Sequence, residues 1–227
     1  MHRWLALIIG TQLLLWFASG LLMSVLPIER VHGDHLIDRS AQNITIDADH
    51  SALGRILQTV GRPVREVRLR SLLDRPVVEV EGVDSSLQLF DGQSGHRLSP
   101  LNEQWARSIA MGVYRGAGKQ PPTALHIAQA STEYRGPLPA WQLAFPDEES
   151  TRIYVSANTG RITAVRNGTW RLYDFFWGLH IMDWKNHEDF NTPWLMAFAA
   201  GGLVLALCGT VLLYFRWPKK RRKPKAL

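Results

Sequence analysis

Two uncharged apolar stretches, one near each end, decide what this chain can fold into. Trp4 to Leu26 and Pro193 to Phe215 are each 23 residues long and contain no Asp, Glu, Lys or Arg. A helix rises about 1.5 Å per residue, so each stretch is long enough to cross the roughly 30 Å hydrocarbon core of a bilayer. Pro27 ends the first, whose apolar run outlasts a signal-peptide core although Ala18-Ser19-Gly20 is a weak cleavage match; it is expected to stay as an anchor. Arg3 precedes the first stretch, and Arg216, Lys219, Lys220, Arg221, Arg222, Lys223 and Lys225 follow the second. Basic flanks mark the cytoplasmic side, so both termini are expected there and residues 28–191 beyond the membrane, periplasmic for a bacterial inner-membrane protein. Trp4, Trp194, Tyr214 and Trp217 stand where interfacial anchors belong. Neither span holds a histidine or an acid, which argues against a proton relay at mid-membrane.

Charge supports this division. The chain nets +6, and the tail from Lys219 to Lys225 carries six positive charges by itself. Residues 28–191 hold 18 basic and 20 acidic side chains, so no basic domain exists to bind nucleic acid. The one cysteine, Cys208, excludes an intrachain disulfide, a cysteine zinc site and an iron–sulfur cluster. Gly202, Ala206 and Gly209 recur at i, i+4, i+7 and let another helix approach. That helix is either the first span, with Gly10 and Gly20, or a second copy in a homodimer.

Between the spans one pattern occurs twice. Helix is expected over residues 51–60, then strands over 64–70, 76–81 and 87–90, a turn at Asp91-Gly92-Gln93-Ser94-Gly95 and a strand at 96–98. The second copy is expected to open with a helix over 123–132. Strands follow at 141–145, 152–156 and 161–165, with turns at 146–150 and at Ala157-Asn158-Thr159-Gly160. A helix over 103–114 links the copies. Gly95 and Gly160 supply the positive φ that tight hairpins need. The fold class is an α+β membrane protein with two transmembrane helices flanking two small units of helix plus antiparallel sheet. The expected segments are residues 1–3 (cytoplasmic), 4–27 (first span), 28–50 (linker), 51–118 and 119–169 (the two units), 170–191 (aromatic interfacial helix and loop), 192–216 (second span) and 217–227 (basic tail).

Trp170, Tyr173, Trp177, His180 and Trp184 recur at steps of three and four, placing them on one helical face beside the outer membrane surface. His180 is then either a packed neutral side chain or a ligand. His32-Gly33-Asp34-His35 follows the first span at the same membrane level, so His32 or His35 could meet His180 or His187. Two imidazoles across an apolar slot suit bis-His haem, with Asp34, Asp183, Glu188 or Asp189 orienting a ring through its second nitrogen. Trp177 and Trp184 would wall the slot. The same set could instead hold a divalent metal. His-Gly-Asp-His could equally be a plain polar loop. His2 could ligate a second haem only with a histidine from another copy. His50, His96 and His126 are scattered, Asp147-Glu148-Glu149 reads as a solvated turn, and no hydrolase motif occurs.

The order of a first helix with His2-Arg3-Trp4-Leu5, two small units with D-x-x-x-G and A-N-T-G turns, Leu179-His180-Ile181-Met182-Asp183-Trp184 and a last helix resembles the PepSY-associated transmembrane (PepSY-TM) family over nearly the whole chain. That resemblance implies a relation to the haem b membrane module of iron and siderophore reductases and of flavin/2Fe-2S reductase fusions, with His32, Asp34, His35, His180 and Asp183 at matching places. The chain departs in lacking the extra membrane helices, a Gly-rich dinucleotide loop and cluster cysteines, so electrons would come from another protein or from quinol. The leading expectation is an accessory component of transmembrane electron transfer holding haem b at the periplasmic face, with a membrane redox partner or a second copy. The alternative is a non-enzymatic anchored module binding a periplasmic protein or peptidase, by strand addition for example. Whether the chain is itself an enzyme is left open.

Overall fold

The computed structural model describes residues 2–38, 50–118 and 120–217. The basic tail from 218 onward lies outside the described residues, as do the side chains of His2, Arg3 and His50 and most of the linker after 38. The chain divides into two compact units, one formed by residues 1–25 with 174–227 and the other by residues 26–173.

In the first unit both apolar stretches are helices, α1 (His2–Val25) and α6 (Pro193–Arg216). Each is apolar all round, as a helix facing lipid must be. Thr192 starts α6 by accepting the Leu195 N–H at 3.2 Å, and Pro193 takes the first helical position, where no N–H is needed. The two helices pack where small residues permit it. A Cβ on Gly201 would sit 3.0 Å from Ile9, and one on Gly202 3.2 Å from Leu13. The expected small-residue face is thus used only at its upper end, against the first span of the same chain. Gly209 and Gly10 have nothing within 4 Å of a built Cβ. Cys208 is exposed on α6.

The second unit begins with a short helix α2 (Ile28–His32) and continues through α3 (His50–Val60), β1 (Val64–Leu72), β2 (Arg75–Gly82), β3 (Leu87–Asp91), α4 (Glu103–Val113), β4 (Thr123–Ile127), β5 (Ala140–Ala144), β6 (Arg152–Ser156), β7 (Ile162–Arg166) and the start of α5 (Gly168–Ile181). The strands form two antiparallel sheets in sequential order, β1-β2-β3 and β4-β5-β6-β7. Alternation along β2 explains the layering. Val78 and Val80, with Phe90, face Ile56 and Leu53 of α3. Val77 and Leu89 point the other way, into a core shared with Ile109 and Val113 of α4 and Leu143, Ile153 and Val155 of the second sheet. The first sheet is therefore covered on both faces, and β2 is buried from Val77 to Val80, Glu79 included.

Three expectations are corrected. Residues 123–127 form the edge strand β4, paired to β5 from Thr123↔Ala144 to Ile127↔Ala140, so the helix expected over 123–132 is absent. Pro121 and Pro122 set an extended entry, and pairing with β5 outweighs the weak helix preference of Ala-Leu-His-Ile. The helix covering the second sheet is instead α4, expected as a mere link; Asn102 caps it by accepting the Trp105 N–H. His96–Leu98 contributes only a bridge, Phe90↔Arg97. The turn glycines do as expected, with φ of 76° at Gly95 and 69° at Gly160.

Candidate functional site

The polar chemistry of the first unit gathers where α1, the end of α5 and the loop before α6 meet. Trp16 and Ser19 lie one turn apart on α1, on the stripe that continues from Ile9 and Leu13. The Trp16 indole N–H donates to the carbonyl of His180 at 2.7 Å. The Ser19 hydroxyl donates to the carbonyl of Trp16 at 3.0 Å and lies 2.9 Å from His180 Nδ1. A hydroxyl has one proton. With that proton given to the Trp16 carbonyl, the hydroxyl is free to accept from a ring N–H at His180 Nδ1. Nε2 then holds a lone pair and has no hydrogen-bond partner among the described residues. Ser19 is only 1% exposed, so this geometry is built into the packing.

His187 is held differently. Its Nδ1 lies 2.7 Å from the Asp174 carboxylate, and its carbonyl accepts the Trp177 indole N–H at 3.1 Å. The ring rests on Gly178, where a Cβ would come within 2.4 Å of Cδ2 and 2.6 Å of Nε2. The Nε2 edge of His187 therefore faces helix backbone, whereas that of His180 is unpaired.

Asp183 organises the loop. Its two oxygens accept the backbone N–H groups of Lys185, Asn186, Glu188 and Asp189 at 3.0–3.3 Å. Those donors hold its carboxyl well below the usual carboxylate range. Both oxygens being engaged with backbone, it is Asp174 that meets an imidazole in this unit. α5 ends at Ile181 and Met182 turns left-handed, so Trp184 falls beyond the helical face expected for it and is exposed. Trp177 packs edge-on against Phe190.

In the second unit, α2 stops at Gly33, whose φ of 70° and close approach to Val165 leave no room for a side chain. His35 Nε2 lies 2.9 and 3.1 Å from the Glu149 carboxylate oxygens, and His32 and Asp34 are exposed. Asn167, fully buried, donates to the carbonyl of Arg30 and accepts the Trp170 N–H, tying α2 to the start of α5. Asp147 accepts the Tyr114 hydroxyl at 2.6 Å, so the acidic turn expected to be solvated is tied down at both ends. His126 stands edge-on to Trp141.

His180, His187, Trp177 and Asp183 thus belong to one unit, and His32, Asp34 and His35 to the other. Among the described residues, no three His, Cys, Asp or Glu side chains are grouped to hold a metal ion. Haem would need an imidazole nitrogen free to hold its iron, and His180 Nε2, without a hydrogen-bond partner among the described residues, fits that need. Ser19 and Asp174 were missed in the sequence. The signal for Ser19 was a polar side chain in an apolar span, one turn from a tryptophan. For Asp174 it was an acid inside the aromatic segment.

A family model described as the PepSY-associated TM region matches residues 1–227. No curated protein and no solved structure matches the chain. The match runs from one membrane helix through both sheets to the other, and on that ground the chain belongs to the PepSY-associated TM family and is a membrane protein.

Proposed function

We propose that this protein is an accessory component of transmembrane electron transfer, of the iron- or siderophore-reductase kind, in which His180 would hold haem b at the outer face. It resides in a bacterial inner membrane with both termini cytoplasmic and the sheets periplasmic. One observation carries the reading: the Ser19 hydroxyl lies 2.9 Å from His180 Nδ1, and Nε2 has no hydrogen-bond partner among the described residues. Bound haem supplies one-electron transfer. The chain's own groups do the rest. A Ser19 oxygen accepting the Nδ1 proton would leave Nε2 to hold the iron and raise its basicity. Trp16 fixes the end of α5 through the His180 carbonyl. With no Gly-rich dinucleotide loop and one cysteine, the chain takes electrons from a membrane redox partner or quinol.

The test is the absorption spectrum of the full chain, purified in detergent from cells supplied with a haem precursor, before and after dithionite. A Soret band with sharp reduced bands is expected, absent in His180→Ala. In Ser19→Ala, haem affinity falls by about 10–100-fold. Substitutions at His32, His35, His187 and His2 identify the second axial ligand. A folded, colourless wild type overturns the proposal and leaves an anchored binding module.

A further inference from the structure

The end of α5 is bonded to α1 well inside the first span. The Trp16 indole donates to the His180 carbonyl, and the Ser19 hydroxyl meets the His180 ring. Ser19 lies six residues before Val25, where α1 ends. At 1.5 Å per residue, that is about 9 Å short of the helix end. Apolar side chains continue past this level, since Leu21 and Val25 are both exposed. A span that stays exposed and apolar to its last residue needs lipid against that whole length. His180 therefore sits at a depth that acyl chains still reach.

What α5 and the following loop expose is apolar as well. Phe175 is 61% exposed, Trp184 68% and Phe190 53%. The polar groups turn inward. Asp183 collects four backbone N–H groups, His187 is held on Asp174, and the Trp177 indole is spent on the His187 carbonyl. A surrounding with little water demands such internal satisfaction. The exposed charges are Lys185, Glu188 and Asp189, one cation with two acids, which suits the headgroup level and gives no preference for anionic lipid. The sequence pattern placed Trp177 and His180 toward the membrane surface; the structure engages both internally and leaves Phe175, on another face of α5, outward. We infer that the last two turns of α5 and the loop to Phe190 are seated in the bilayer interface, with Phe175, Trp184 and Phe190 against the acyl chains. Lipid is the occupant because this surface belongs to the same compact unit as the lipid-facing sides of α1 and α6 and continues them.

The experiment is electron paramagnetic resonance of the full chain in phosphatidylcholine nanodiscs, without haem. Cys208→Ala provides the background, and a nitroxide is placed on Phe175→Cys or Trp184→Cys. Leu21→Cys on α1 and Leu125→Cys on β4, both exposed, are the lipid and water references. Relaxation by oxygen and by a water-soluble nickel chelate is compared. Positions 175 and 184 are expected to favour oxygen, as position 21 does, and to report a depth of about 5–10 Å beneath the headgroup boundary. Adding phosphatidylglycerol is expected to leave that depth unchanged. Preference for the nickel chelate at either position, as at position 125, overturns the inference. So does shielding from both reagents, which would mean that a second copy or another membrane protein covers the face. All four labelled sites are exposed, so the substitutions remove little packing, and circular dichroism confirms the fold. The result does not depend on whether haem binds.

Discussion

Glu79 shows how a single residue ties the two sheets together. It lies on β2, is 3% exposed, and accepts Arg70 Nε at 3.2 Å and Arg161 Nε at 2.8 Å. Arg161 comes from the turn before β7, so one carboxylate joins both sheets. Removing a buried partner leaves its counter-charges uncompensated. Glu79→Ala is therefore expected to destabilise the second unit by about 3–5 kcal/mol. Removing the exposed pair Glu103–Arg107 is expected to cost less than about 0.5 kcal/mol. Thermal unfolding of the two variants, followed by circular dichroism, separates these values. Tyr114 offers a pH test. Burial, and then its hydrogen bond to Asp147, push the Tyr114 hydroxyl up to about 12. A folded value above the unfolded one of about 10 stabilises fully below pH 10. That contribution is lost as pH rises through about 12. Ultraviolet titration is expected to find Tyr114 ionising late in the wild type and earlier in Asp147→Asn, with Tyr134 and Tyr154, also pushed up by burial, unchanged.

At the scale of elements, what could be read in the sequence follows from how local each cause is. The two spans, α3, β1 to β3 and β5 to β7 were legible because hydrophobic period and turn glycines act within a few residues. β4 was not, since Thr-Ala-Leu-His-Ile becomes a strand only by pairing with β5, across a loop of irregular backbone. The role of α4 was hidden for the same reason: nothing in its amphipathic pattern says which sheet it covers. His180 and His187 were legible as candidates by residue type and position. Their state was not, because it is set by Ser19, 161 residues away, and by Asp174 through a loop that doubles back. Gly178 tests that loop. A methyl group there meets the His187 ring at 2.4 Å, so Gly178→Ala is expected to expel the imidazole from Asp174. NMR of ring-labelled protein would then show the His187 Nδ1 proton exchanging freely, while an unchanged, protected signal would contradict the packing.

On the scale of the whole molecule, the sequence divides labour between two units. The first combines two lipid-facing helices with an imidazole hydrogen-bonded to a buried serine. The second is a pair of small antiparallel sheets around one shared core. Family membership accounts for the architecture end to end. The proposed electron-transfer role rests on His180. The most direct measurement is the reduced-minus-oxidised difference spectrum of the full chain, compared between wild type and His180→Ala, with circular dichroism to show that both are folded. The account expects sharp haem b bands in the wild type and none in the variant. A colourless wild type, or bands that survive in His180→Ala, would contradict it.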